Sequence, residues 1–256
     1  SPSKMGIQGF ATLQSDSYDF EIVGSDRPES AAVWDYLGEA GRRSLVFNIP
    51  TTYPPKKIDG VLVSGLMTPT DATDWARPDD VQSELEDLDY RISVDEYYDD
   101  DHPERYVKHC HDLLDRRTAG VRSIMQKEDW DFTFVLLRPT DLLSHPFLGE
   151  YVNNGPHSDV IPAVYKAVDD AIGELLDGHE GNVVLMSDHG FDYCQEVFQV
   201  NNFLKKSGYL DITDSNLGVS PHIELLSILR RSATDVISRL GLKDSARKVV
   251  PESILD

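Results

Sequence analysis

The sequence predicts an α/β three-layer sandwich on a mostly parallel sheet, and two observations carry that prediction. Four short runs are apolar throughout and rich in β-branched or aromatic residues: 44–49 (SLVFNI), 60–64 (GVLVS), 132–137 (FTFVLL) and 182–186 (NVVLM). Lacking polar alternation, they suit strands covered on both faces. Amphipathic helical stretches separate them, and strands alternating with helices imply parallel βαβ units.

The first predicted helix, 30–40, has Ser30 as its N-cap and ends near Gly41, which suits the left-handed position after a helix. Helices are also expected over 104–125, 159–176, 197–207 and 223–240. The stretch 51–102 is different: it holds TTYPPKK, is rich in proline, and ends in Asp99-Asp100-Asp101. Weak periodicity there predicts a loop-rich excursion, 52–102, within a single domain spanning 1–256, either a lid over a site or a plain surface loop. No internal repeat or low-complexity tract interrupts the 256 residues.

Composition excludes several function classes. Apolar residues are 40% and charged residues 27%, a globular balance rather than a disordered one. No run approaches the ~20 apolar residues that span a bilayer. Cys110 and Cys194 make no disulfide framework and no C-x-x-C metal knuckle. The chain opens Ser1-Pro2 without an initiator Met, so the lack of a signal peptide proves little; a cytoplasmic setting is the expectation. Against 24 Lys and Arg stand 45 Asp and Glu, a net charge of −21 that repels phosphate backbones and argues against a grip on nucleic acid. The 31 Asp outnumber 14 Glu, and only 10 Lys accompany 14 Arg, a bias that suits a salt-adapted surface; the plain alternative is an ordinary acidic protein. Nothing in the sequence sets an oligomeric state.

Two of the apolar runs lead into the same chemistry. FTFVLLRPT meets Asp141, with His145 four residues on; NVVLMS meets Asp188-His189-Gly190. In parallel sheets ligands collect beyond the carboxyl ends of strands, which puts both groups on one rim. If Asp141 starts a helix or turn, the i, i+4 spacing sets Asp141 and His145 on one face. Carboxylate oxygen with imidazole nitrogen suits Zn²⁺ or Mn²⁺ better than Mg²⁺ or Ca²⁺. Two pairs suggest two divalent metals, the usual device for phosphoryl transfer. The bland reading is that both aspartates cap helices while the histidines pack nearby; recurrence of the pair favours ligation.

Other histidines offer less. His222 is a candidate third ligand, although its setting resembles a helix start, and His157 follows a Gly-Pro turn and could approach a substrate. His109 and His111 flank Cys110, but i, i+2 residues do not share a helix face. His102 and His179 read as solvated, as do the aspartates 99–101, which lack EF-hand spacing.

VVLMSDHGF resembles the hallmark SDHGF of the alkaline phosphatase superfamily, in its type I phosphodiesterase/nucleotide pyrophosphatase branch. Thr140 and the stretch from Asp141 to His145 resemble that branch's T-D-x-x-x-H element. FNIPTTYPPKKIDGVLVSGLMTP (47–69) is similar to its NVPxTYPPxxVNGxxVSGFxTP segment, and SPSKMGIQGF to its N-P-G-K-H-G-I-x-G-F. The resemblance covers about the first 210 residues in the family's order and implies an alkaline-phosphatase-like fold, incomplete in this chain.

By the resemblance, Asp141 and His145 ligate one zinc and Asp188 and His189 the other, and the substrate is a small phosphate ester. The family's strand-borne metal-binding Asp, its Thr or Ser nucleophile and a late third histidine have no match here, so the chain is expected to be a fragment, inactive alone. Donor count agrees: catalytic zinc takes three protein ligands, and each pair supplies two. The competing expectations are a non-catalytic binding or interaction domain, or sulfate-ester hydrolase or phosphosugar mutase chemistry on the same scaffold.

Overall fold

The computed structural model describes residues 5–14, 19–94, 96–194, 196 and 198–211. The chain divides into two compact units, Ser1–Gln195 and Glu196–Asp256. The first begins with an antiparallel hairpin of β1 (Ala11–Leu13) and β2 (Phe20–Ile22), with Leu13 opposite Phe20. Helix α1 (Val33–Glu39) follows. The expected Ser30 cap gives way to Asp35, whose carboxylate reaches back to accept the Ala32 N–H at 2.8 Å. Gly41 takes the left-handed φ of 67°, and the Arg42 N–H closes the helix end on the Leu37 carbonyl at 2.8 Å.

Strands β3 (Ser44–Ile49), β4 (Gly60–Ser64), β5 (Ala76–Arg77) and β6 (Phe132–Val135) form one sheet in the order β5-β4-β3-β6. β4 and β6 both run parallel to β3, and only β5 is antiparallel. The sheet is therefore mostly parallel, and β3, β4 and β6 end at one rim. Helix α2 (Asp79–Asp87) sets two aspartates in its first turn, where the helix dipole favours negative charge. Helix α3 (Pro103–Met125) matches its expected span closely.

Alternation of side chains decides the layers. Leu45, Phe47, Val61 and Val63 share one sheet face with Trp75, Val81, Leu85 and Tyr90 and with Val121 and Ile124 of α3. The opposite face carries Phe134, whose ring lies 6.4 Å from Trp34 of α1. Helices thus flank both faces, as the sequence predicts. Each fully buried apolar side chain here contributes about 1.5–3 kcal/mol. A second cluster joins α3 to α4 (Pro139–Asn153) and α5 (Val160–Leu175) through Leu113, Leu143, Phe147 and Val164. The stretch 52–102 contributes β4, β5 and α2, and buries Trp75, Ala76, Val81, Leu85 and Tyr90 in the first cluster.

One expectation needs correction. Residues 182–186 are not a buried strand; they have no ladder partner among the described residues, and Val184 and Leu185 are 82% and 78% exposed. Apolar composition favours burial, but a strand also needs an edge to pair with, and the described sheet ends at β6. In the second unit, α6 (Val200–Lys206) falls within the expected 197–207 helix. The expected helix 223–240 and His222 lie outside the described residues.

Candidate metal centre

The rim begins with backbone geometry that the sequence dictates locally. Asn48 ends the regular part of β3 with a left-handed φ of 65°, a conformation Asn tolerates better than most residues. Both ends of its carboxamide are engaged: Nδ2 donates to the Leu136 carbonyl at 3.3 Å, and Oδ1 accepts the Tyr90 hydroxyl at 2.5 Å. Burial pushes the Tyr90 hydroxyl up to about 12, so it remains a donor. Gly65, just past β4, lies so close to the Asn48 peptide that a Cβ would stand 2.1 Å from its oxygen. These contacts bind the carboxyl ends of the three parallel strands together.

Beyond β6, Arg138 caps α4, Pro139 opens it, and Asp141 lies in its first turn. His145 follows one turn later on the solvent face, its side chain 70% exposed, while Leu142, Leu143 and Phe147 turn inward. The His145 Nε2 stands 3.6 Å from Asp141 Oδ1, too long for a hydrogen bond. Asp141 Oδ2 instead accepts a 3.0 Å hydrogen bond from Arg138 Nη2.

The second pair arrives without a strand. Phe191 and Tyr193 lie against α4, Tyr193 bordering Gly149. Phe191 lays its ring edge-on to His145, centroids 4.9 Å apart, and 5.4 Å from the His189 ring. One phenylalanine therefore touches both imidazoles. His189 is raised above its ordinary value, first by the hydrogen bond of its Nδ1 with the Gly190 carbonyl at 2.9 Å, then by the charges of Asp188 and, across the gap, Asp141. Its Nε2 stands 3.9 Å from Asp188 Oδ1.

Among the described residues no three His, Cys, Asp or Glu side chains already form a cage for an ion. The arrangement is two adjacent two-donor pairs, each with one carboxylate and one imidazole. That donor chemistry fits zinc or manganese, at one ligand fewer per ion than a catalytic zinc takes. His157 belongs elsewhere: its N–H donates to Glu150 at 2.7 Å, and its ring meets Phe147 at 5.8 Å. His109 and His111 are half-buried on α3 around the fully buried Cys110, whose thiol burial pushes up to about 12. Arg138 and Phe191 escaped the sequence reading; only the i, i+3 spacing of Arg138 to Asp141 hinted at the first.

The fold is a mixed α/β one on a mostly parallel sheet, with Asp141 and His145 following its strand β6 and Phe191 bringing His189 beside His145. The family model for type I phosphodiesterase / nucleotide pyrophosphatase matches residues 1–253, and the chain belongs to that family, a branch of the alkaline phosphatase superfamily. Its members are hydrolases of small phosphate esters. No curated protein and no solved structure matches the chain. Among the described residues no helix is long and apolar enough to cross a membrane.

Proposed function

We propose that this chain serves a metal-dependent hydrolase of phosphate esters, with Asp141 and His145 ligating one divalent ion and Asp188 and His189 a second. The observation that carries the reading is the shared contact of His145 and His189 with Phe191, which sets the two acid–imidazole pairs side by side, and neighbouring metal ions are the usual device for phosphoryl transfer. Zinc suits the mixed donors best, and manganese is the second choice. A bound ion of this kind polarises the phosphoryl oxygens and lowers the pKa of a hydroxyl nucleophile.

The side chains prepare that role in distinct ways. Asp141 keeps Oδ1 on the His145 side while Arg138 occupies Oδ2. With Nδ1 engaged by the Gly190 carbonyl, His189 presents Nε2 as the lone-pair nitrogen. Its raised pKa sets protons against the ion, so affinity falls as pH drops through the histidine range. Two donors per pair, with no hydroxyl nucleophile assigned among the matched motifs, favour metal binding by this chain without efficient turnover.

Isothermal titration with Zn²⁺ tests the ligand set. Two ions are expected per chain, falling to one in Asp188→Ala; binding equal to that of Asp141→Asn/Asp188→Asn overturns the reading in favour of a non-metal binding domain. Bis(p-nitrophenyl) phosphate with Zn²⁺ or Mn²⁺ should be hydrolysed at background rate. Clear turnover lost in Asp188→Ala would place a complete catalytic site in this chain.

A further inference from the structure

We propose that Arg138 is a positioning residue for the first metal pair: it clamps one oxygen of Asp141 so that the other is the only one offered beside His145. This rests on the ligand role given above to Asp141 and His145. Three features of the pair support it. The guanidinium Nη2 bonds Asp141 Oδ2 at 3.0 Å, while Oδ1 is the oxygen that faces His145 Nε2 at 3.6 Å. Arg138 has 19% of its side chain exposed and Asp141 28%, so the pair is screened less than a surface ion pair. Among the described residues Arg138 has no other carboxylate partner.

The surroundings explain why this arginine turns to Asp141 alone. Its inner neighbours are Tyr106 and Cys110 of α3, both buried and uncharged at neutral pH, and its charge is felt by both. The buried guanidinium of Arg117 is also within its field and repels it. The Asp141 carboxylate is therefore where Arg138 finds its counter-charge. A free carboxylate pivots and can offer either oxygen or both to an ion. The bond at Oδ2 fixes its plane and commits Oδ1. Partners that orient a ligating carboxylate in this way are typically worth about 10–100-fold in metal affinity.

The test compares four forms of the chain: unaltered, Arg138→Ala, Arg138→Lys and Asp141→Asn, each titrated with Co²⁺ alone. Binding is read by calorimetry and by the visible band of the bound ion, whose intensity reports coordination geometry. Arg138→Ala should weaken the first site about 10–100-fold and alter the band. Arg138→Lys, which can still give one charged N–H to Oδ2, should recover most of the affinity and the original band. If Arg138→Ala binds as the unaltered chain does while Asp141→Asn loses the site, the positioning role is wrong and the ligand assignment stands. If Asp141→Asn also binds normally, the ligand assignment fails and takes this proposal with it. Should Arg138→Ala not fold, Arg138→Gln replaces it: a shorter polar side chain without charge, expected to bind more weakly than Arg138→Lys, with equal binding counting against the role.

Discussion

Gly65 shows how a single hydrogen atom in place of a methyl holds the rim together. A Cβ at that position would meet the Asn48 oxygen at 2.1 Å and its carbon at 2.2 Å, both backbone atoms that cannot swing aside. Gly41 has the opposite problem, with open space around it but a φ of 67°. The two glycines should therefore respond differently to alanine. Gly65→Ala forces β3 and β4 apart and is expected to cost roughly 3 kcal/mol, the upper end of overpacking. Gly41→Ala carries only left-handed backbone strain, about 1 kcal/mol. Urea unfolding of both variants measures this, and equal losses would contradict the close approach at Gly65. In the sequence both are simply turn glycines. The helix end at Gly41 is legible because capping is local; the contact at Gly65 is not, because its partner lies 17 positions upstream on another strand.

Helix α4 carries the first pair on one face and much of the second core cluster on the other, and that division governs what each substitution does. Phe147 is fully buried and meets Tyr98 edge-on at 5.6 Å, whereas Tyr151, four residues later, is 45% exposed. Phe147→Ala should cost about 3–5 kcal/mol, and Tyr151→Ala no more than ~0.5 kcal/mol, by thermal or urea unfolding. A small loss at Phe147 would mean that α4 is not anchored on α3 and α5. Legibility at this scale followed the strength of the local pattern. α3 and α5 are long and amphipathic, and both were expected within a residue or so of their observed ends. α4 was obscured by Pro139, Pro146 and an apolar run without clear sidedness, so only the i, i+4 spacing of Asp141 and His145 suggested a helix. β5 spans two residues and α2 buries only Val81 and Leu85, too little for periodicity to register. The run 182–186 failed in the other direction, since apolarity reports a preference for burial and names no partner strand. The candidate site was accordingly legible as donors and spacings. Its supporting residues, Arg138 and Phe191, emerge only from the fold.

Across the whole chain, charge sets up a competition whose winner can be decided by counting. If every one of the 24 Lys and Arg residues paired with a carboxylate, 21 of the 45 acids would still lack a cation. Described pairs such as Arg42–Asp131 at 2.8 Å and Lys108–Asp112 at 2.6 Å are exposed, and such pairs contribute at most about 1 kcal/mol each. Repulsion among the remaining acids acts over the Debye length, ~10 Å at 0.1 M salt and ~3 Å at 1 M. Added salt thus removes more repulsion than attraction, and the melting temperature should climb between 0.1 M and 2 M KCl. Chloride is the proper anion for the measurement, because sulfate stabilises folded proteins by exclusion from their surface. Acid does not substitute for salt. Lys127 and Ser123 at Glu84, Lys108 at Asp112, and the Arg43 backbone and Arg42 at Asp131 hold those carboxyls below their ordinary values. Depressed carboxyls contribute stability above the ordinary carboxylate range and lose it as pH falls through their folded values. Lowering pH from 4 toward 2 should therefore lower the melting temperature as those carboxyls take up protons, while KCl raises it at pH 7. A melting temperature that falls with KCl at pH 7 would mean that the local pairs, not the surplus of carboxylates, dominate the electrostatics of this fold.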